Sequence, residues 1–459
     1  MITRLLRVSL LVCLIFPLLE SPGLAASEET NILLDELVKE GVLSPERAAK
    51  VSERVTRRME EKQVAEEPSE NKLKLNSWVN KLGIYGDGRL RYEIREGQNA
   101  FDDNRQVNQF RYRLRLGLTA DLTDNLQLGF RLMTGTGNRG TNVTFGGDTV
   151  TTSGTTQTIN GPFAKTADTL SVDLMYLNYK PYDWLSLTGG KMLNPLVTTR
   201  MVWHVPITPE GLAEQFKFKI GGWDLFGNFG QFLYDDANPE NPFGAGNFRN
   251  DVWLLANQVG VRYNFNEKRT TWFQIAPVFY TYTGDDGNLS MTFTNEVIPN
   301  GGINDLAVLE VPVEFGFTLG KMPMRIFGDF AYNTAWKDRA INSGNPNLED
   351  NGMAYTAGIQ IGKVKKKGDL EFTLYYQRLE AYSLDQNLID DDFFDGKLNM
   401  QGFVFMGTYA ITDSLSFSIN YGVGDQIDRN IGTGASTGAI PADPLRNYQL
   451  FQAELLLKF

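Results

Sequence analysis

Residues 110–122 read FRYRLRLGLTADL. Phe110, Tyr112, Leu114, Leu116, Leu118, Ala120 and Leu122 alternate there with Arg111, Arg113, Arg115 and Asp121. Successive side chains of an extended chain point to opposite faces, so this order predicts a strand with an apolar stripe on one side and three arginines on the other. The same period recurs at Leu415, Phe417, Ile419, Tyr421 and Val423 against Ser416, Ser418, Asn420 and Gly422. It closes the sequence, where Phe451, Ala453, Leu455, Leu457 and Phe459 oppose Gln452, Glu454 and Lys458, with Leu456 as the exception. From Lys81 onward sixteen such runs can be traced, within bounds of fourteen to eighteen because register is blurred at 223–234, 270–282 and 398–411.

The connections between runs alternate in length. Short ones fall at 123–125, 181–184, 221–222, 266–269, 321–323, 364–368 and 412–414. Long ones fall at 96–109, 136–169, 192–212, 235–252, 283–305, 337–352, 381–397 and 424–447. A soluble sandwich gives no reason for this alternation. An all-β transmembrane antiparallel β-barrel does, with tight turns on the periplasmic side and long loops outside. Runs of about 9–11 residues suit a tilted strand crossing a bilayer. Closure leaves no backbone edge for lipid to solvate. Trp184, Trp223, Trp253, Phe265 and Phe459 sit near run ends, where interfacial aromatic girdles belong. A secreted adhesin would have to bury its Leu and Phe faces under a second sheet, and the opposite faces are too charged to serve.

Composition narrows the classes further. The 459 residues are 42% hydrophobic, 12% aromatic and 22% charged, with net charge −11, one Cys and one His. Beyond the N-terminus no apolar run approaches the ~18 residues of a helical span. One Cys excludes a disulfide scaffold and Cys-rich metal sites, and one His excludes multi-histidine sites, so no cofactor and no metal is expected. The acidic balance argues against nucleic acid. Residues 1–25 read as a signal peptide: Arg4 and Arg7, an apolar stretch containing Cys13, then Ala25-Ala26. Residues 26–72 read as a periplasmic helical module and linker. Leu33, Leu34, Leu37 and Val38 share one helical face, and Ser44-Pro45-Glu46 starts a second helix bearing Ala48, Val51, Val55 and Met59. The barrel is placed at 73–459.

The polar faces name the candidate site. A basic wall is expected from Arg89, Arg91, Arg95, Arg111, Arg113, Arg115 and Arg131 on the first three strands. Glu310, Glu314, Asp329 and Glu371 lie on the tenth, eleventh and thirteenth, half a circumference away. Two readings stand side by side: a transverse field across a wet lumen, or lumen charges paired with their neighbours. The loop 194–212 is rich in Pro, Leu, Val and Met. It is expected to fold inward as a constriction, with Arg200, Trp203 and His204 near the opening, or else to pack on the rim. Asp235-Asp236, Asp285-Asp286, Glu349-Asp350 and Asp390-Asp391-Asp392 read as solvated charge on outer loops, ahead of the alternative that they bind divalent cations shared with lipopolysaccharide.

These segments, together with LLDELVKEGVLSPERAAKV (33–51), KLGIYGDGRLRYEIRE (81–96), LNPLVTTRMVWHVPITPEGLAEQF (193–216) and the terminal AELLLKF, resemble the putative-porin family of bacterial outer membranes, relatives of the general sixteen-strand porins. The resemblance implies passive diffusion of small hydrophilic solutes and ions, a homotrimer, contact with outer-membrane lipid and lipopolysaccharide, and recognition of the Phe459 strand by barrel-assembly machinery. General porins carry clustered acids on the third loop; here that loop has Arg200, His204 and only Glu210.

Rival functions are weaker. A hydrolase needs a nucleophile beside His204, and no Ser or Cys lies close to it in sequence, so no enzyme is expected. Gly135-Thr136-Gly137-Asn138-Arg139-Gly140 spells a dinucleotide fingerprint, but a Thr/Gly-rich loop replaces the required helix. A structural anchor or adhesin whose N-terminal helices grip the cell wall is the serious alternative.

Overall fold

The computed structural model describes residues 38–39, 44–46, 50–51, 79–99, 103–135, 141–152, 155–160, 170–235, 251–283, 305–343, 351–434 and 445–459. The chain divides into two compact units, Met1–Asn76 and Ser77–Phe459. In the first, Val38, Lys39, Pro45, Glu46, Lys50 and Val51 are helical. The signal peptide at 1–25 and the rest of the expected helical pair lie outside the described residues.

The second unit is a closed antiparallel barrel of sixteen strands. They are β1 (Lys81–Asn99), β2 (Asn104–Thr123), β3 (Leu126–Thr134), β4 (Leu170–Tyr182), β5 (Leu185–Lys191), β6 (Glu210–Ile220), β7 (Trp223–Asp235) and β8 (Val252–Asn264). Then come β9 (Trp272–Ile275 and Val278–Thr283), β10 (Ala307–Leu319), β11 (Met322–Asn333), β12 (Met353–Gly362), β13 (Leu370–Leu379), β14 (Met400–Ala410), β15 (Leu415–Gln426) and β16 (Leu445–Lys458). Each strand pairs with the next, and β1 pairs with β16 from Asp87↔Lys458 to Gln98↔Asn447. The gap in β9 falls at Ala276-Pro277, where the proline has no N–H for the ladder.

Alternation produces the two faces as expected. On β2, Phe110, Leu114 and Leu116 are exposed on the outside, whereas Arg113 is 7% exposed on the inside. On β15, Phe417, Ile419 and Tyr421 face out and Asn420 is buried. Trp184, Trp223, Trp253, Phe265 and Phe459 are all exposed near strand ends. Trp184 stacks on Tyr182 at 5.3 Å and on Phe218 at 5.6 Å, as an amphipathic belt at the headgroup level requires. The two-residue connection 221–222 is possible because Gly221 takes φ 59°, the left-handed region such tight hairpins use.

Two connections differ from the sequence reading. The first long loop shrinks to 100–103, because β1 and β2 stay paired past the apolar zone, to Gln98↔Asn104. The second long connection holds a hairpin of its own, Gly147–Thr152 with Thr155–Asn160, in a threonine-rich stretch that favours extended backbone. A larger difference concerns the loop after β13.

Candidate functional site

The loop from 192 to 209, here L3, folds into the barrel. Met192, Leu196, Met201, Val202, Trp203 and Ile207 are buried in an apolar cluster with Phe232 of β7 and Leu254 and Ala256 of β8. Gln258 of β8 stands in for a neighbouring strand: its Oε1 accepts from the Val197 N–H at 2.9 Å and its Nε2 donates to the Val197 carbonyl at 2.7 Å. Thr198 Oγ1 donates to Glu310 at 2.6 Å, and Thr199 Oγ1 donates to Asp329 at 2.5 Å. Tyr280 donates to the other oxygen of Glu310 at 2.6 Å. Two of the four expected wall acids, Glu310 and Asp329, are thus fully buried anchors for L3. Glu314 pairs with Arg325 on the adjacent strand, and Glu371 accepts from the Val364 N–H at 3.4 Å.

The loop from 380 to 399, here L7, also folds inward. Its Asp390-Asp391-Asp392 run, read from sequence as solvated charge, is largely removed from water: Asp390 is 4% exposed. Leu384, Leu388, Ile389, Phe393, Phe394 and Leu398 join the same apolar cluster as L3. The loop is held from every side. Tyr234 of β7 and Tyr282 of β9 both donate to Asp385 at 2.7 Å. Tyr448 of β16 donates to the Asp392 carbonyl at 2.7 Å. Lys397 Nζ donates to the Gly434 carbonyl at 2.9 Å. Helix α1 (Trp336–Asn342), between β11 and β12, packs Trp336 and Ala340 with Ala381 and Tyr382. Phe394, Asp395 and Asn399 take φ 59°, 57° and 58°. Left-handed backbone at a bulky residue costs of order 1–3 kcal/mol, so it persists only where surroundings dictate it.

L3 and L7 meet at His204. The His204 N–H donates to the Leu388 carbonyl at 2.6 Å, and the Asp390 N–H donates to the Arg200 carbonyl at 3.2 Å. Ring Nδ1 lies 2.6 Å from Asp390 Oδ1, and Nε2 lies 3.2 Å from Asp391 Oδ1. Only an imidazolium donates from both nitrogens. Burial alone would lower the ring's pKa, but the Asp390 hydrogen bond and the charges of Asp390, Asp391 and Asp392 raise it above its ordinary value. His204, Asp390 and Asp391 are also close enough to hold a metal ion, their candidate atoms all within 4.8 Å. The imidazolium and the guanidiniums of Arg91 and Arg95 already balance the charge there.

The basic wall is mostly spent on local carboxylates. Asp87 accepts from Arg113 at 2.6 Å and from Arg115 Nε at 2.7 Å. Glu93 accepts from Arg111 at 2.9 Å. Arg91 pairs with Glu454 and, at 2.9 Å, with Asp392. Arg95 donates to Asp395 and to the Asp391 carbonyl, each at 2.8 Å. Arg131 donates to Asp173 on β4 at 2.5 Å. Burial would push Asp392 up, but Arg91 and Arg95 hold its carboxyl well below the usual range. The neighbour-paired reading therefore describes these arginines better than a free field between walls.

Two cavities flank the tip of L3. One, of about 480 Å³, lies among Arg89, Arg111 and Arg115 of the wall, Arg200 and His204 of L3, and Asp391 of L7. The other, of about 280 Å³, lies among Thr199, Arg200, Glu314, Arg325, Tyr375 and Gln377. Arg200 borders both.

Comparison with known proteins follows the same lines. A family model described as "Putative porin" matches residues 97–310 and 300–443. No curated protein matches the chain. Among solved structures, OprB of Pseudomonas putida is similar at 11% identity, covering 82% of this chain and 94% of that one, with TM-score 0.47. A triple mutant of the Rhodopseudomonas blastica porin is similar at 8% identity, covering 83% and 100%, with TM-score 0.41. The trimer form of OmpT of Vibrio cholerae is similar at 12% identity, covering 83% and 99%, with TM-score 0.40.

Proposed function

The chain belongs to the family described as "Putative porin", and from that premise we propose that it forms a water-filled channel in a bacterial outer membrane for passive diffusion of small hydrophilic solutes and ions. The observation that carries the reading is the charged inner wall around the cavity of about 480 Å³, inside a barrel whose outer face is apolar. Charged side chains left in contact with such a space need water or solute as a partner. L3 and L7 together set the narrowest passage. In this reading passage is passive and needs no catalysis, and both nitrogens of the one histidine serve the contact between L3 and L7.

The same reading extends to partners. The exposed Leu, Phe and Trp belt suits lipid and lipopolysaccharide, and three copies side by side suit a porin. The exposed Phe459 ending β16 suits capture by assembly machinery. Residues 26–72 would then lie in the periplasm. Liposome swelling with small sugars and planar-bilayer conductance test the proposal, with and without residues 26–72. Swelling and discrete current steps are expected. A protein that inserts but passes neither sugar nor ions is an anchor instead.

A further inference from the structure

We propose that the cavity beside L3 is a subsite for an oxyanion, a carboxylate or phosphate group carried by the passing solute, with Arg200 as its central donor. The inference rests on the channel reading and names its substrate class.

The argument turns on unspent hydrogen-bond donors rather than on net charge. The lining carries seven arginines and Lys458 against five carboxylates. Asp87 and Glu93 stand behind it and narrow that excess. What differs is engagement. Asp87 and Glu93, and of the lining acids Asp392 and Glu454, each accept from at least one guanidinium, and Asp390 and Asp391 lie against the His204 ring; Glu371 accepts only from the Val364 N–H at 3.4 Å. On the cationic side, the Arg200 guanidinium makes no hydrogen bond or ion pair with any described residue, although Arg200 borders both cavities. Arg89 Nε and Arg111 Nε also lack an acceptor among the described residues but are shielded from the space, which leaves Arg200 as the donor within reach. A guanidinium has five N–H groups and no acceptor of its own. It therefore recruits whatever oxygen reaches it, and planar or tetrahedral oxyanions match its fork best.

Position strengthens the case. Arg200 is carried on L3, whose backbone is fixed on both sides of it: Val197 by Gln258, Thr198 and Thr199 by Glu310 and Asp329, and the Arg200 carbonyl by the Asp390 N–H. The charged head is thus presented on a rigid arm toward the wall that bears Arg89 and Arg111. A space of about 480 Å³ accepts a small dicarboxylate or a phosphate group with some of its water. Internal competitors exist, and one is Glu371, which lines both cavities with Arg200. Asp390 Oδ2 is buried without a hydrogen-bond partner among the described residues, and a turn of Arg200 toward it would withdraw the donor from the cavity.

Planar-bilayer recording under a KCl gradient separates these cases. The wild-type channel should prefer chloride to potassium severalfold, and inorganic phosphate or succinate added to the bath should lower the chloride current. Phosphate acting where succinate does not, or the reverse, identifies which oxyanion the subsite takes. Arg200→Glu should reduce the chloride preference severalfold and abolish the block, and Arg200→Lys should retain the preference. Arg111→Gln, away from L3, should weaken the block without altering L3. A cation-preferring wild type, or an Arg200→Glu channel with unchanged selectivity and block, overturns the subsite and leaves the channel reading in place. A wild type that conducts nothing overturns the channel reading, and the subsite with it.

Discussion

His204→Ala should loosen L7 and raise conductance, and the size of the effect can be worked from the clamp itself. The ring donates to Asp390 at 2.6 Å and to Asp391 at 3.2 Å. Its loss takes from Asp390, 4% exposed and with Oδ2 already lacking a partner among the described residues, the one cation that hydrogen-bonds it there. Breaking a buried pair in this way costs about 3–5 kcal/mol. At about 1.4 kcal/mol per factor of ten, the inward pose of L7 should lose about two to three and a half orders of magnitude against displaced poses. Single-channel recording should show longer and larger openings.

The same clamp should respond to pH. The folded ring titrates above its ordinary 6.5, so its contribution is complete below that value and fades as pH rises through the raised one. The groups facing it are Asp390, Asp391 and Asp392 of L7, Arg200 of L3, and Arg91 and Arg95 of β1. The arginines stay charged across the range. Wild-type openings should therefore lengthen on the alkaline side, and His204→Ala should lack that step. Identical traces for the two proteins at every pH would refute the clamp.

Other perturbations test separate parts of the structure. Arg95→Ala removes donors to Asp392, Asp395 and the Asp391 carbonyl; it should free L7 at a cost of about 3–5 kcal/mol, read as faster proteolysis of L7 in the folded barrel. Gln258→Ala strips both backbone partners from Val197, which at about 1–3 kcal/mol should widen the conductance distribution rather than shift its mean. Deleting Val197 to Pro206 should raise conductance, since L3 occupies the lumen. Removing Phe459 breaks its two backbone hydrogen bonds with Gly86, at 2.9 and 3.1 Å, and should slow the appearance of heat-modifiable folded barrel on gels.

The barrel was legible because period-two alternation is local. Each of Phe110, Leu114 and Leu116 declares its face without reference to any distant residue. L3 was legible for a similar reason, since its apolar content has no place in water. The same logic applies to L7, where Leu384, Leu388, Ile389, Phe393, Phe394 and Leu398 carry as much apolar surface. It was obscured by Asp390-Asp391-Asp392, a run that reads as hydrated. Asp392 is buried because Arg91 and Arg95, some three hundred positions earlier, close against it around the ring, and Asp390 because His204 of L3 does. No spacing rule reports such a meeting. For the same reason Glu310 and Asp329 were identified as inward residues, while their service to Thr198 and Thr199 was hidden.

The left-handed turns at Phe394, Asp395 and Asn399 bear on timing. A segment wound against its own preference behaves like a cocked trigger. Once let go it relaxes at once, because the torsion at Phe394 favours departure. Its backbone bonds to L3 re-form only with the pose itself, so return has to wait for Lys397, Tyr448 and the arginines to find their targets together. Such a gate would fly open and creep shut.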